Sequence, residues 1–191
     1  MKRILCLLYE VPDFLWGFFG ETIRGNDSKI ASFLRRKMYR TACMIDTNVF
    51  IKNKSNFISG TGSCLYHSCY ILNNNGKFVI GSSSHLGAFC YVNVCYGNVY
   101  IGDYVAIGPG TKIIAYSNQY RFGKKVTDEK ITKDILINNN VFVGSNCVIL
   151  PGTIIHHNVV IGAGSLVKGE LEENSIYAGI PCKKIKSGWY E

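Results

Sequence analysis

Proline and long apolar runs are both scarce in this chain of 191 residues. It has only four prolines against twenty glycines, which is typical of many short β-segments with tight corners and disfavours a disordered or collagen-like chain. The N-terminal apolar run ends after six residues at Glu10, too soon for a signal peptide or a transmembrane helix. We therefore expect one domain with at most a small appendage.

A metal-binding cysteine pattern is also missing. None of the eight cysteines forms a CxxC pair, and the closest spacings, Cys64 to Cys69 and Cys90 to Cys95, fit no zinc site. We expect no metal and interpret most cysteines as small core residues, with Cys147 as the clearest case. A chain of this length without other secretory signs favours a reducing cytoplasm over a disulfide framework.

Positive charges exceed negative charges by 8 at pH 7, and the isoelectric point is about 9.1. One interpretation is an ordinary solvated surface. The other is a phosphate-rich partner, such as a nucleotide cofactor, a nucleotide sugar or an acidic membrane surface. No RNA- or DNA-binding motif accompanies the charge, so nucleic acid is not an expected partner.

A six-residue repeat dominates the second half of the chain. From residue 101, every sixth residue is Ile or Val with one interruption, and a less regular ladder continues upstream through Ile80, Leu86 and Val92. The repeated positions are Ile101, Ile107, Ile113, Ile137, Val143, Ile149, Ile155, Ile161 and Val167. This period indicates a hexapeptide β-helix, in which each unit forms one short strand and one corner, and three units close a triangular coil.

A second position of the repeat holds small or β-branched residues. They lie four residues after the aliphatic position and are Val105, Thr111, Ser117, Val141, Cys147, Thr153, Val159 and Ser165. Gly follows the aliphatic residue at 102, 108, 144 and 162. We expect the aliphatic side chains to fill the axis, the small ones to fit near the corners, and Gly or Asn to adopt the strained corner backbone.

The repeat is interrupted by an insert that spans residues 119–136. The insert is polar and charged, and a long loop that leaves a rigid scaffold is usually functional. The β-helix itself would span residues 46–169. Residues 170–191 would form a turn and then a tail that docks onto the last coil.

Residues 1–45 are first apolar and aromatic (14–19) and then basic (35–40). The stretch 28–40 contains neither Gly nor Pro and is predicted to be helical. Such a helix would either pack over the open end of the β-helix, which otherwise exposes strand edges, or lie on a membrane near a lipid-linked substrate. In the second case, residues 1–40 would hold the protein at the inner face of the membrane.

Several stretches resemble the hexapeptide-repeat acetyltransferases, which include the maltose and galactoside O-acetyltransferases, serine acetyltransferase, and enzymes that acetylate capsule and lipopolysaccharide sugars. The matching stretches are 101–110 (IGDYVAIGPG), 143–152 (VGSNCVILPG), and 161–168 (IGAGSLVK) with 178–185 (AGIPCKKI). The resemblance is strongest over 101–186 and weaker back to about residue 24. It implies an all-β fold, a left-handed parallel β-helix with an N-terminal helical segment and a C-terminal docking tail.

The resemblance also implies a homotrimer that uses acetyl-CoA, with active sites between subunits. Coenzyme A would lie in a groove beside the later coils, where exposed backbone amides suit its long arm and cations suit its phosphates. The matching residues are Gly144, Ser145 and Ala163 for the pantetheine arm, Pro181 for the adenine, and Lys168, Lys183 and Lys184 for the phosphates. Without the flanking motifs, these lysines would be interpreted as solvated tail charges.

The chain departs from the family at the position of its general base. In most members, a His just after the coil that precedes the loop removes the acceptor proton. The matching residue here is Asn118, and no His occurs between His85 and His156. Asn cannot act as a general base, although it can orient the acceptor or accept a hydrogen bond.

Three interpretations of this departure stay open. In the first, the acceptor is an amino sugar, whose free amine needs no base before it attacks. In the second, a residue of a neighbouring subunit is the base for transfer to a hydroxyl, and His85, at a corner of an upstream coil, is the best candidate. His156 and His157 are interpreted as surface residues, and His67 lies in an irregular zone. In the third, the chain is a non-catalytic trimeric scaffold.

The candidate acceptor-binding residues are Asn93, Tyr116, Tyr120 and Arg121. Asn93 lies in a stretch, 92–95, that resembles the family coil whose Asn contacts the acceptor, and an ordinary corner Asn is an equal interpretation. The other three flank the loop, where aromatic and bidentate contacts suit a sugar. The sequence therefore predicts an acetyl-CoA-dependent acetyltransferase that acts on a nucleotide-linked amino sugar or polysaccharide precursor in surface glycan biosynthesis.

Overall fold

The structure of the chain, a computed structural model, describes residues 23–188. The apolar stretch 14–19 therefore lies outside the described residues. An α-helix, α1 (Lys29–Met38), precedes a long series of short strands. The strands are β1 (Met44–Ile45), β2 (Phe50–Ile51), β3 (Phe57–Ser59), β4 (Cys64–Leu65), β5 (Tyr70–Leu72), β6 (Phe78–Ile80), β7 (His85–Leu86), β8 (Tyr91–Asn93), β9 (Val99–Ile101), β10 (Ala106–Ile107), β11 (Lys112–Ile114), β12 (Tyr116–Asn118), β13 (Lys130–Thr132), β14 (Ile135–Ile137), β15 (Phe142–Val143), β16 (Val148–Ile149), β17 (Ile154–Ile155), β18 (Val160–Ile161), β19 (Leu166–Val167), β20 (Glu170–Leu171), β21 (Ser175–Ala178) and β22 (Lys183–Ser187).

The strands stack into three parallel sheets that form the sides of a solenoid. The first sheet has the order β1-β4-β7-β10-β15-β18-β21-β22, the second β2-β5-β8-β11-β16-β19, and the third β3-β6-β9-β14-β17-β20. Three successive strands make one coil, and each coil pairs in register with the next, as Ala106 does with His85 on one side and Phe142 on the other. Neighbouring coils are therefore one strand spacing apart, about 4.8 Å.

The predicted axis of the solenoid is confirmed. All nine repeated Ile and Val residues of 101–167 are buried, with at most 3% of the side chain exposed, and Ile80, Leu86 and Val92 upstream are fully buried. The small residues of the second repeat position are buried as well, with one exception. Removing this apolar surface from water is the main stabilising contribution, because each short strand has little stability of its own.

Ser117 is the exception, and its predicted place near a corner is wrong. The chain leaves the coil at Tyr116, where β12 begins an antiparallel pair with β13, and Ser117 is exposed on that hairpin. Ala115 is fully buried instead. The coil resumes at Ile135, in β14, so the last two residues of the predicted insert belong to the third sheet.

Glycine at one corner is required by the close approach of successive coils. A Cβ atom on Gly108 would lie 2.5 Å from the backbone nitrogen of Ser145, and one on Gly144 would lie 2.5 Å from that of Ala163. At another corner the left-handed backbone is held by Asn140, Asn158 and Asn174, whose side-chain amides donate to one another in a ladder with 2.8 Å bonds. Asn tolerates this conformation better than most residues.

The N-terminal helix α1 packs onto the first coil. Ser28 caps it by accepting a hydrogen bond from Ala31 N. Arg35 is 1% exposed, and its guanidinium donates to the carbonyl oxygens of Ile45, at 2.8 Å, and Ile23, at 2.8 Å. The helix thus covers the start of the solenoid on one side, while Ile30 on its outer side is exposed. Within residues 23–188, no helix combines the length and apolar character needed to cross a bilayer.

The C-terminal segment closes the other end. Strand β21 continues the first sheet in parallel with β18, and the chain then turns back so that β22 pairs antiparallel with β21. The regular stacking thus extends beyond residue 169. The returning strand covers the backbone edge that the last coil would otherwise expose.

Replacing Gly108 by Ala should lower the melting temperature by roughly 3–10 °C, because a backbone atom of the next coil must move to admit the methyl group. Thermal unfolding followed by circular dichroism measures this. Gly25→Ala is the control, since its Cβ would be 3.6 Å from Asn48 Oδ1, an ordinary contact. Equal melting of wild type and Gly108→Ala would contradict the stacking argument.

Candidate active site

The hairpin of β12 and β13 is the place where the chain departs from the solenoid. It leaves the corner between the second and third sheets, directly after β11. Asn118 lies opposite Lys130 in its register, and a salt bridge of 3.0 Å between Arg121 Nε and Glu129 Oε2 ties its two arms together. At the tip, Phe122 is 97% exposed. The hairpin therefore presents its side chains beyond the surface of its own solenoid.

Asn118 is oriented by its own strand. The hydroxyl of Tyr116 donates a hydrogen bond of 3.1 Å to Asn118 Oδ1. With its oxygen engaged in this way, the side chain offers its amide N–H groups to a ligand. This arrangement suits a residue that orients a substrate or stabilises negative charge, and it gives no site that could accept a proton.

Lys130 and Tyr96 also lie beside Asn118, and neither is among the residues predicted from the sequence. The Lys130 ammonium lies 4.7 Å from the centre of the Tyr96 ring and 5.7 Å from that of Tyr116. The two rings are 5.1 Å apart, tilted by 45°. Composition could not reveal the contact, because the hairpin register alone brings residue 130 opposite residue 118.

The remaining predicted acceptor residues lie near the same corner. Asn93 ends β8, which pairs with β11, the strand that leads into the hairpin. Its side chain donates to the Tyr91 hydroxyl and accepts from Cys95 N, so its hydrogen bonds are local. Tyr120 is 72% exposed, and Arg121 is held by its salt bridge. The fold therefore brings Asn93, Tyr116 and Asn118 to one edge of the molecule.

His85 lies elsewhere, and its predicted place at a corner is wrong, because it lies in β7, a paired strand, on the outer side of the first sheet. It is half-buried, with the Tyr66 ring edge-on at 5.7 Å, and burial lowers the pKa of His85 below its ordinary value of 6.5. The hairpin leaves the corner between the second and third sheets, whereas β7 lies in the first sheet. His85 and Asn118 could thus act on one substrate only if they came from two copies of the chain.

The other histidines have local partners. His156 Nε2 lies 2.7 Å from Glu170 Oε1, and His157 Nδ1 accepts a hydrogen bond of 3.3 Å from Asn139 N. His67 is exposed, with its ring edge-on to Phe89 at 4.8 Å. Within residues 23–188, no group of three or more His, Cys, Asp and Glu residues is arranged to hold a metal ion.

The predicted coenzyme A residues fall into two groups. Gly144, Ser145 and Ala163 stack in consecutive coils at the corner between the first and second sheets. Pro181 follows in the returning tail, after Ala178, whose Cβ is 2.9 Å from the place of a Cβ on Gly162.

The predicted phosphate-binding lysines differ in what they contact. Lys168 and Lys183 are exposed, Lys168 beyond the far end of β19 and Lys183 at the start of β22. Lys184 Nζ lies 2.5 Å from Glu172 Oε2, and this hydrogen bond lowers the pKa of Glu172 and raises that of Lys184. Lys184 would have to leave Glu172 to reach a phosphate.

Comparison with known proteins identifies the repeat. Residues 134–169 match the family model described as bacterial transferase hexapeptide (six repeats). The regular six-residue period of this segment is therefore that of known hexapeptide-repeat transferases. The chain is 39% identical over 88 residues to galactoside O-acetyltransferase of Escherichia coli (strain K12), an alignment that covers 46% of this chain and 43% of that protein.

A second relative of the chain is the dTDP-4-amino-4,6-dideoxy-D-glucose acyltransferase of Escherichia coli. It is 31% identical over 97 residues, with 47% of this chain and 50% of that protein covered. The chain thus spans half the length of these curated relatives or less.

Among solved structures, the chain resembles a mutant of AntD, an N-acyltransferase from Bacillus cereus, in complex with dTDP and coenzyme A. The TM-score is 0.69 at 25% identity, over 76% of this chain and 80% of that one. Galactoside acetyltransferase in complex with coenzyme A has a TM-score of 0.55 at 24% identity, over 89% and 76% of the two chains. The predicted left-handed parallel β-helix is confirmed.

The lowered pKa of His85 predicts a dependence of stability on pH. Folding favours neutral His85, so the unfolded chain takes up a proton first as the pH falls through about 6.5, and the folded state loses stability below that pH. His85→Gln should reduce the loss of melting temperature between pH 7.5 and 5. His157→Gln is the control, and an unchanged pH dependence in His85→Gln would contradict the assignment.

Proposed function

We propose that the protein transfers an acetyl group from acetyl-CoA to a sugar in surface glycan biosynthesis, with the nitrogen of an amino sugar as the acceptor. The observation that carries this proposal is the hairpin, which presents a hydrogen-bonded Asn118 where the resembled O-acetyltransferases have a His. The likeness to AntD, which is described as an N-acyltransferase and was solved with dTDP and coenzyme A, supports the same choice.

Acetyl transfer to a free amine needs no basic side chain at the nitrogen. The free amine attacks the thioester carbon, the C–N bond forms, the C–S bond breaks, and the thiolate leaves with the pair of electrons. The nitrogen loses its proton after attack, when it is acidic enough for water or the departing thiolate to accept it. Asn118 would donate its amide N–H to the acceptor or to the oxyanion, a task that a side chain without a basic atom can perform.

Gly144, Ser145 and Ala163 would bind the pantetheine arm of the donor through their backbone. Ser145 and Ala163 fit this task, because they lie at the surface in two consecutive coils, whereas Gly144 is buried and its N–H donates to Ile161 O. Lys168 and Lys183 would attract the phosphates, and Pro181 would lie against the adenine. Lys184 would take part by exchanging Glu172 for a phosphate.

Transfer to a hydroxyl is the second candidate. It needs a base, and the lowered pKa keeps His85 neutral at lower pH than an ordinary His, which is the form that accepts a proton. His85 would come from a neighbouring subunit, since it lies on a different face from Asn118. The third candidate is a trimeric scaffold without catalysis.

A homotrimer is part of the proposal. The outer side of the third sheet carries an aligned apolar row in register, and the row needs a partner to be shielded from water. Its members are Ile58, Val79, Tyr100, Leu136 and Ile154. Light scattering should give a mass three times the 21.3 kDa of one chain.

Residues 1–40 would bring the protein to the inner face of the membrane, where a lipid-linked acceptor would be available. The basic face of α1, with Arg36 and Lys37, and the exposed Ile30 support this. We expect vesicles that contain acidic lipid to bind the full chain, and to bind less of a variant that lacks residues 1–22 and carries Ile30→Ser, Arg36→Glu and Lys37→Glu. Equal binding of the full chain and the variant would contradict the membrane proposal and would not bear on the transfer reaction.

The transfer reaction is tested by thiol release from acetyl-CoA with amino sugars, hydroxyl sugars and their nucleotide-linked forms. Asn118→Ala should lower kcat/KM for the amino sugar by about 100-fold, because one hydrogen-bond donor at the reacting group is lost. Asn118→His should favour hydroxyl acceptors. Asn75→Ala, at an exposed site on an earlier coil, is the matched control.

Two results would contradict the proposal. If no sugar releases thiol above background and coenzyme A does not bind, the transfer reaction is ruled out and the scaffold candidate is favoured. If transfer occurs but Asn118→Ala retains the wild-type rate, Asn118 has no catalytic role. A rate that depends on His85 and on a hydroxyl acceptor would favour the second candidate.

A further inference from the structure

Tyr96, Tyr116, Asn118 and Lys130 form a cluster at the base of the hairpin, which we call the hairpin-base cluster. Tyr96 comes from the third coil, and the other three come from the two arms of the hairpin. Besides the ring contacts described above, Lys130 Nζ lies 3.5 Å from the Tyr96 hydroxyl. The cluster therefore joins the hairpin to the solenoid at the side of Asn118.

The ammonium of Lys130 is held in place without an anionic partner. Among residues 23–188, no carboxylate lies within ion-pair distance of it, whereas the neighbouring Glu129 is taken by Arg121. A lysine side chain is long and flexible, and two aromatic faces restrict where its charge can be. The result is a positioned, exposed cation whose N–H groups can only donate.

The Lys130 ammonium lies close to Asn118, the residue proposed to orient the acceptor. Lys130 and Asn118 are directly opposed across the antiparallel pair, so their Cβ atoms are about 5 Å apart. Tyr116 connects the two, since its hydroxyl holds Asn118 and its ring faces Lys130. An acceptor oriented by Asn118 would thus place atoms about one sugar ring away beside the ammonium.

We propose that Lys130 binds an anionic oxygen of the acceptor, so that the acceptor class is a negatively charged sugar. This inference rests on the proposed function for the identity of the acceptor. Two kinds of acceptor carry an anionic oxygen close to the reacting position. One is a nucleotide- or lipid-linked sugar with its diphosphate, and the other is an acidic sugar with its carboxylate.

Kinetics with three acceptor types tests the inference: a nucleotide-linked amino sugar, an amino sugar with a carboxylate, and an uncharged methyl glycoside. Lys130→Met should raise KM for the charged acceptor by about 10- to 100-fold, with kcat and the KM for acetyl-CoA within about two-fold of wild type. Its KM for the methyl glycoside should not change. Whether the nucleotide-linked or the carboxylate sugar is affected identifies the source of the anion.

Two further variants separate binding from structure. Lys130→Arg keeps the charge and should restore most of the affinity, which a purely structural role of the lysine stem would not predict. Lys125→Met removes a lysine from the exposed part of the same hairpin and should leave KM for every acceptor unchanged. Equal loss of affinity for charged and uncharged acceptors in Lys130→Met would overturn the inference.

A binding measurement decides the inference even without turnover. Titration calorimetry with dTDP, UDP and galacturonate, in phosphate-free buffer and with saturating coenzyme A, should give weaker binding of at least one anion to Lys130→Met than to wild type. If that loss is seen but no sugar is acetylated, the binding site stands and the proposed function fails. If no anion binds wild type, or all bind Lys130→Met equally well, the inference is wrong.

Discussion

The stacking of one coil directly on the next is the interaction on which the rest of this structure depends. Successive coils pair in register, so every position repeats at about 4.8 Å along the axis and each row of side chains must suit a single environment. Inside, that environment selects apolar side chains, which are Ile or Val at all nine repeated positions from 101 to 167. At one corner, the next coil leaves no room for a Cβ on Gly108 or Gly144. The same requirement that makes the repeat visible in the sequence makes the solenoid rigid.

A rigid solenoid of this kind offers few places for chemistry, because its side chains form rows that are fixed by the pairing. The hairpin of β12 and β13 breaks this rule. Its strands pair with each other and not with the coils, so Asn118, Tyr116 and Lys130 can be arranged without the constraint of the repeat. The interruption of the hexapeptide pattern is thus where a specific polar arrangement becomes possible.

The placement of the candidate residues favours a site that is shared between chains. Asn118 lies at the corner between the second and third sheets, the candidate coenzyme A backbone at the corner between the first and second, and His85 on the outer side of the first sheet. The three-sided solenoid keeps these two corners and this face apart. Only a neighbouring copy of the chain could bring the corner of one subunit to the face of another, and this gives the homotrimer proposal its physical reason.

The sequence by itself determined the coil, because a six-residue period of Ile and Val buries all of these residues when three units close one coil. It also located the break and the Asn at the matching position. Only the tertiary structure decided that Ser117 leaves the core, that Ile135 rejoins it, and that Lys130 lies opposite Asn118. Those outcomes depend on the register of an antiparallel pair across a polar loop, and a polar loop has no periodic burial from which a register could be read.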